Sequence, residues 1–566
     1  MTKPHDRDEG AAPPPEPAAG PTRRVFLQAS AAMAGATLLS SCLSGGDNEE
    51  SPLVGDAPDY FSNIKHLVVV MFENRSFDNL LGYLYSQGPT PANWPAASPM
   101  PPSVPPAPGG SPQSFEGIWQ FPGIPPAKCE GGAGCNDHDG RTVLAYPYPS
   151  GTWDFPPQDP YEPWEHVRLQ VFHVDRALEP TDKPDMSGFL WSYADRIAKD
   201  TLTDPPDPAL IMGCYTPEQL PVLSTLARNF AVFDHWHCAV PSQTYCNRAF
   251  FHASTSYGYV TNAPWTKWMT ADPGTGQGTI FDALESHWRA TSPPPKVAPW
   301  AVYFTGAIDP EVYADASGPS AKSVTDYVGL TGLIHYDVGR KYGPADYPEK
   351  IAGNPQRFFP FEQFFCDVAA GTLPQYTFLE PLGGSLPFAL PAPENKGHDF
   401  HPPGDVRNGE EVVRQIYEAI RTSGANGGHD YTQDTMLLVV FDEHGGTYDH
   451  VKPPKAVPPD KSTPEYPDCT FDWLGVRVPA IAISSYTLPG TIVDREMHHA
   501  AVIKTLFKMN PGAGSYLTER DRPATVADLG VACNGERSAL STGPAPWPAL
   551  GGQAIATCAA PKSPAG

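Results

Sequence analysis

The chain has 566 residues, with 38 Lys and Arg against 63 Asp and Glu and a formal charge of −25. That balance excludes a general nucleic-acid binder, which needs a basic face, and suits a well-solvated surface. Pro (69) and Gly (51) would signal disorder if spread evenly. Pro instead gathers in segments such as 91–115, between apolar runs, which predicts a compact core carrying long Pro-rich loops.

Residues 22–42 read TRRVFLQASAAMAGATLLSSC. The apolar stretch ending at Leu39 is shorter than the roughly 20 apolar residues a membrane span takes, and it fits the core of a signal peptide. Arg23-Arg24 with Phe26 and Leu27 just after it resembles a twin-arginine export signal. Leu39-Ser40-Ser41-Cys42 resembles a lipoprotein cleavage box, with Cys42 as the lipidated residue. The expectation is a signal peptide over 1–41, a tether over 42–60, and a cell-envelope lipoprotein, periplasmic or at the cell surface, held to the membrane by a lipid anchor at Cys42. An ordinary cleaved signal with an incidental Cys is the plainer alternative. Nine cysteines follow Cys42. An oxidising compartment permits disulfides. Cys129 and Cys135, bracketing the loop CEGGAGC, are one expected pair and Cys533 with Cys558 a second. An odd count leaves at least one free thiol.

The runs Ile64–Phe72, Trp300–Phe304, Tyr376–Leu379, Met436–Phe441 and Ile481–Ser484 are short and apolar on both faces, the pattern of buried parallel strands. Helical patterns over 218–230, 278–288, 410–423 and 500–509 fall between them. Strands alternating with helices predict an α/β fold, a three-layer α/β/α sandwich with a mainly parallel sheet. The catalytic domain is placed at 61–512 with a Pro-rich insertion near 91–115, followed by a loop-rich tail over 513–566. In such sheets ligands gather at the carboxyl ends of the strands, so the chemistry is sought there.

The first strand ends in Glu73-Asn74-Arg75-Ser76-Phe77-Asp78. A carboxylate beside an amide oxygen makes half of a hard-metal site; the plainer reading is that Asn74 or Ser76 caps the next helix. The run ending at Phe441 leads into Asp442-Glu443-His444-Gly445-Gly446. Two adjacent carboxylates repel without a cation, and the glycines allow a tight turn beneath them; the plainer reading is an acidic surface turn. Pro241-Ser242-Gln243-Thr244-Tyr245-Cys246-Asn247-Arg248 offers a hydroxyl, Thr244 with Ser242 in reserve, near Arg248. A threonine hydroxyl is a poor nucleophile until a base or metal activates it. His401, His450 and the pair His498-His499 supply imidazoles suited to proton transfer, although any one of 17 histidines is more often a packing or surface residue.

Taken together these segments resemble the bacterial phosphoesterase family that contains non-haemolytic phospholipases C, respiratory-burst-inhibiting acid phosphatases and plant non-specific phospholipases C. The resemblance rests on ENRSFDNLLGYL at 73–84, DEHGGTYDHVKPP at 442–454, the block from Met212-Gly213-Cys214-Tyr215-Thr216 through Arg248, Asp185-Met186-Ser187-Gly188-Phe189, HPPGDVRNGE at 401–410, and the segment around His499. It implies an alkaline-phosphatase-like core. It also implies a divalent metal ion on Glu73, Asn74, Asp442 and Glu443, a nucleophile at Thr244, and His401, His450 and His499 with Arg248 in the pocket. Two positions depart from the family pattern. Cys246 stands where the family usually has Pro before Asn-Arg. Glu162 follows Asp159-Pro160-Tyr161 where the family often has a His, and the nearest imidazole, His166, is carried as the candidate there.

The expected function is metal-dependent hydrolysis of a phospholipid or small phosphate ester, of phospholipase C type, through a Thr nucleophile and a phospho-enzyme. An acid phosphatase using the same site is the alternative. A third reading, a non-catalytic surface-anchored binding lipoprotein, would be expected to have lost a carboxylate at 73, 442 or 443, and all three are present.

Overall fold

The computed structural model describes residues 59–85, 115–118, 134–200, 202–270, 278–305, 321–381, 397–426, 428–522, 524–536, 540, 543–552 and 554–555. All of these belong to one unit, Asp59–Gly566. The signal peptide, most of the tether, Cys42, Cys129 and the insertion over 91–114 lie outside the described residues.

Eight strands form the main sheet: β1 (His66–Phe72), β2 (Ala231–Phe233), β3 (Trp300–Phe304), β4 (Phe358–Pro360), β5 (Tyr376–Glu380), β6 (Thr435–Phe441), β7 (Ala480–Ser484) and β8 (Thr491–Val493). Their spatial order is β8-β2-β7-β6-β1-β5-β3-β4. Strands β6, β1, β5, β3 and β4 are consecutive parallel neighbours. β1 sits near the centre, and every one of its residues is buried. A strand covered on both faces has no polar side to alternate with, which is why it reads as one apolar run. β7 pairs antiparallel with both neighbours. The Ile481–Ser484 run was expected to be parallel on the same pattern and is not: two-sided apolarity records burial, not direction.

Helices cover both faces. The helices Pro221–Asn229 and Glu362–Ala370 both pack on Val406–Arg421, and a second group joins Thr244–Ala253 to Ile280–Ala290, Ala321–Ile334 and Ala500–Met509. This is the three-layer arrangement expected. A smaller apolar cluster, built on Val167, Phe172, Phe189, Tyr193, Ile211 and Tyr448, forms beside the main core. It carries the helices Trp164–Phe172 and Phe189–Lys199 over the loop that follows β6. The tail contributes Leu517, Leu529, Leu540 and Ile555 to the main core. Its buried Arg520 donates to the carbonyls of Val457, Ala239 and Phe471.

Among the described residues no helix is long and apolar enough to cross a membrane. Cys135 is disulfide-bonded, and so is Cys366, which the sequence left unassigned. Cys533 is a free thiol, so its expected pairing with Cys558 is overturned. Spacing in the sequence carries no information about which distant thiols fold within disulfide reach.

Candidate active site

β1 and β6 run in register from His66 opposite Thr435 to Phe72 opposite Phe441, so the residues that follow each strand emerge side by side. The Asn74 N–H donates to Asp442 Oδ1 at 3.2 Å, and the Arg75 N–H donates to the Glu443 carbonyl at 3.1 Å. Asn74 adopts φ 60°, a left-handed conformation that Asn tolerates better than most residues. Gly445, at φ 58°, turns the acidic loop against it; a Cβ there would stand 2.2 Å from the Asn74 carbonyl oxygen. Arg75 braces the site from behind, donating to the carbonyls of Phe400 and Phe155 and to Asn79.

Thr244 opens the helix Thr244–Ala253. Arg248 lies four residues on, hence on the same helical face. Its Nε donates to Asp442 Oδ2 at 3.1 Å and its Nη2 to Glu73 Oε1 at 3.2 Å. The guanidinium therefore docks the face carrying Thr244 onto the acidic ends of both strands. The first N–H groups of a helix lack intrahelical acceptors and favour an anion.

Asp442 and Glu443 are fully buried. Burial pushes the Asp442 carboxyl up to about 7, against the pull of Arg248 and with Glu73 adding to the rise. Burial and Asp442 drive Glu443 well above the usual carboxylate range, and burial and Glu73 do the same to Asp399. Two buried acceptors, Glu443 Oε1 and Asn74 Oδ1, have no protein donor. Crowded carboxylates that resist ionising, beside orphaned oxygen acceptors, fit a hard divalent cation. Glu73, Asn74, Asp442 and Glu443 are the residues that would hold it. Another compact group, Asp78, Asp449 and His450, also has ligand geometry. There Arg477 already donates to both carboxylates at 3.0 Å, so its charge is balanced by protein.

The four candidate histidines occupy different positions. His401 Nε2 accepts from Asn74 Nδ2 at 2.8 Å, while Nδ1 donates to the Pro402 carbonyl at 2.7 Å. Of the four, it is the one bonded to a side chain of the candidate cation ligands. His499 donates Nε2–H to the Asp442 carbonyl at 2.6 Å and accepts at Nδ1 from Trp236 at 3.2 Å. Burial lowers it to about 4, and both nitrogens are committed to holding the loop. His450 lies in the neighbouring network, 2.6 Å from Asp78 Oδ2. His166 stacks on Tyr161 with ring centroids 4.2 Å apart and lies 3.4 Å from the Ser192 hydroxyl.

A profile described as the Phosphoesterase family matches residues 64–510. The chain belongs to the phosphoesterase family. A non-specific phospholipase C6 from Arabidopsis thaliana is 29% identical over 482 residues, 83% of this chain and 72% of that protein. A phospholipase C B from Mycobacterium tuberculosis is 25% identical over 546 residues, 91% of this chain and 85% of that one. A solved structure of a protein in the alkaline phosphatase superfamily from Vibrio parahaemolyticus aligns with a TM-score of 0.30 at 12% identity, covering 56% of this chain and 64% of that chain. That overlap is too shallow to bear on the chemistry.

This phosphoesterase, a hydrolase of phosphoric esters by its family, adds site residues that the motifs did not single out. Glu162 accepts from Gln243 Nε2 at 3.3 Å, next to Thr244, and burial with Asp159 raises it to about 7. Asp159 stands 3.9 Å from His401 Nδ1. Asp399 accepts the Glu73 N–H at 3.1 Å. The departure at Glu162 was the available signal: a carboxylate stands where the family often has a histidine, and the fold places it by the Thr244 helix. Asp399 precedes the HPPGDVRNGE element and carried no signal of its own.

Proposed function

We propose that the protein is a metal-dependent phosphoesterase of phospholipase C type with Thr244 as nucleophile. The observation that carries this reading is the paired bond of Arg248 to Asp442 and Glu73, which joins both strand ends to the helix that Thr244 begins. The names of the relatives, phospholipases C from a plant and a bacterium, support the substrate class. The convergence of Glu73, Asp442 and Glu443 argues against a binding protein that has lost its chemistry.

A divalent cation on these residues would lower the pKa of the attacking hydroxyl and screen the phosphate charge. The Thr244 hydroxyl gives its proton to solvent, and Oγ bonds to phosphorus as the bond to the ester oxygen breaks. With Nδ1–H held on Pro402, His401 exchanges protons at Nε2, which first releases the Asn74 Nδ2 donor as Asn74 turns its amide to the cation. Once protonated, it donates to the departing alcohol. Water then attacks the phosphothreonine and gives a proton to His401, the bond from phosphorus to Thr244 Oγ breaks as Oγ takes a proton from solvent, and the phosphorylated headgroup leaves with Thr244 restored. The Arg248 charge and the Thr244 N–H at the helix start stabilise the equatorial oxygens through these steps, the next N–H, of Tyr245, being held by Asn262 Oδ1. His499 and Arg75 act by positioning.

Replacing Thr244 by Ala should abolish turnover and leave metal content at the level of the unmodified protein; full activity in that variant overturns the assignment. Phosphatidylcholine and p-nitrophenyl phosphate assayed side by side separate the phospholipase from the acid phosphatase reading. We include export by the twin-arginine route and a lipid anchor at Cys42 in this reading. The disulfides at Cys135 and Cys366 support it, because such bonds persist in oxidising compartments.

A further inference from the structure

We propose that His66, His429 and Asp434 bind a divalent cation of the zinc class at the amino-terminal end of the sheet, as a second metal site separate from the strand-end carboxylates. One ligand atom from each of the three lies within 4.8 Å of the others. His66 begins β1 and Asp434 immediately precedes β6. A seven-residue strand rises about 3.3 Å per residue, which puts this group roughly 20 Å from the site at the opposite end of β1.

Two of the three ligands already stand at the spacing of neighbours on one ion, and the third is buried and oriented beside them. His429 Nε2 stands 3.0 and 3.2 Å from the two oxygens of Asp434. Ligand atoms about 2.0–2.1 Å from a tetrahedral zinc are separated by roughly this distance. His66 is buried, and its Nδ1 donates to the Pro374 carbonyl at 2.8 Å. That bond fixes the tautomer and leaves the lone pair on Nε2, the outer-sphere arrangement that orients metal-binding imidazoles. The backbone is set in advance as well. The Asp434 carbonyl accepts from the Lys65 N–H at 2.7 Å and the His66 N–H at 3.0 Å, so the two chain segments are clamped before any ion arrives. Tyr431 packs edge-on against both rings, with centroids 5.0 Å from His66 and 4.5 Å from His429.

Two imidazoles and one carboxylate select a borderline transition ion over magnesium or calcium, which prefer oxygen-rich sites. His429 is half exposed, which leaves a coordination position open to water. No step proposed for Thr244 involves these residues, so the ion would pin the loop before β6 onto the base of β1. Any binder of the native state raises its stability by mass action.

The test uses the full-length protein, stripped of metal by a chelator and titrated with Zn2+ by calorimetry, with bound zinc counted by elemental analysis. Comparison variants are His429→Ala and Asp434→Asn, whose side chains bond each other at the surface, together with Glu443→Gln at the other site. The expected result is that each of the first two loses one zinc equivalent per chain, or at least tenfold in affinity for it. Both should keep the metal-free melting temperature and the phosphoesterase activity, while Glu443→Gln retains this zinc. Wild-type zinc stoichiometry and affinity in both His429→Ala and Asp434→Asn overturns the proposal, whatever the Thr244 variant does.

Discussion

Arg248 donates to Asp442 at 3.1 Å and to Glu73 at 3.2 Å, one guanidinium closing a gap between carboxylates that follow two adjacent strands. Arg248 is the cation paired with both carboxylates. Removing one member of a buried ion pair leaves an uncompensated charge, at a cost of about 3–5 kcal/mol. Arg248→Met should therefore lower metal-free stability by about that amount in urea unfolding. Saturating divalent metal should recover part of the loss, because the cation then neutralises the same carboxylates. Equal losses with and without metal would show that Arg248 and the cation do not share these groups.

Chelation provides a second check on the charge argument. Stripping the ion should abolish turnover and lower the melting temperature. For a site loaded at a hundredfold over its dissociation constant the stabilisation lost is about 2.7 kcal/mol. Scanning calorimetry with and without chelator measures it. Retention of full activity after removal of metal, verified by elemental analysis, would refute the cation-assisted reading.

Gly445 tests the backbone. Its φ of 58° and the 2.2 Å approach of a would-be Cβ to the Asn74 carbonyl leave no room for a side chain. Strain of this kind costs on the order of 1–3 kcal/mol. Gly445→Ala should lose at least that much in a denaturant melt and lose activity more steeply, because Glu443 and Asn74 shift together. A variant with wild-type kinetics would show that the turn has slack.

His450 makes stability depend on pH. Burial lowers its pKa, but Asp78 and Glu116 outweigh burial and hold it at about 9. The folded state thus binds this proton more tightly than the unfolded chain, whose imidazole titrates near 6.5. The contribution is complete below about pH 6.5 and is lost as pH climbs through 9, with an upper bound of about 3 kcal/mol from roughly 1.4 kcal/mol per unit. Wild type should lose stability over that interval relative to His450→Asn, measured by denaturation at stepped pH. Parallel curves for the two proteins would remove His450 as the titrating group.

The sequence by itself determined the elements that stand on long local signals. β1, β3, β5 and β6 follow apolar runs whose composition allows little else, and the strand-end motifs named the residues at 73, 74, 442 and 443. Thr244 and Arg248 were named through the family resemblance of their segment, whereas the helix Thr244–Ala253 that puts them on one face appeared only in the structure. What only the tertiary structure decided was which residues meet. Register between β1 and β6 placed Asn74 on Asp442. Packing of the smaller apolar cluster brought Glu162 and Asp159 beside His401, and it separated His450 from that group by pairing it with Asp78. The direction of β7 and the free thiol at Cys533 were decided in the same way. Hydrophobic patterning specifies that a segment is buried, whereas neighbour identity depends on long-range contacts that a one-dimensional pattern does not encode.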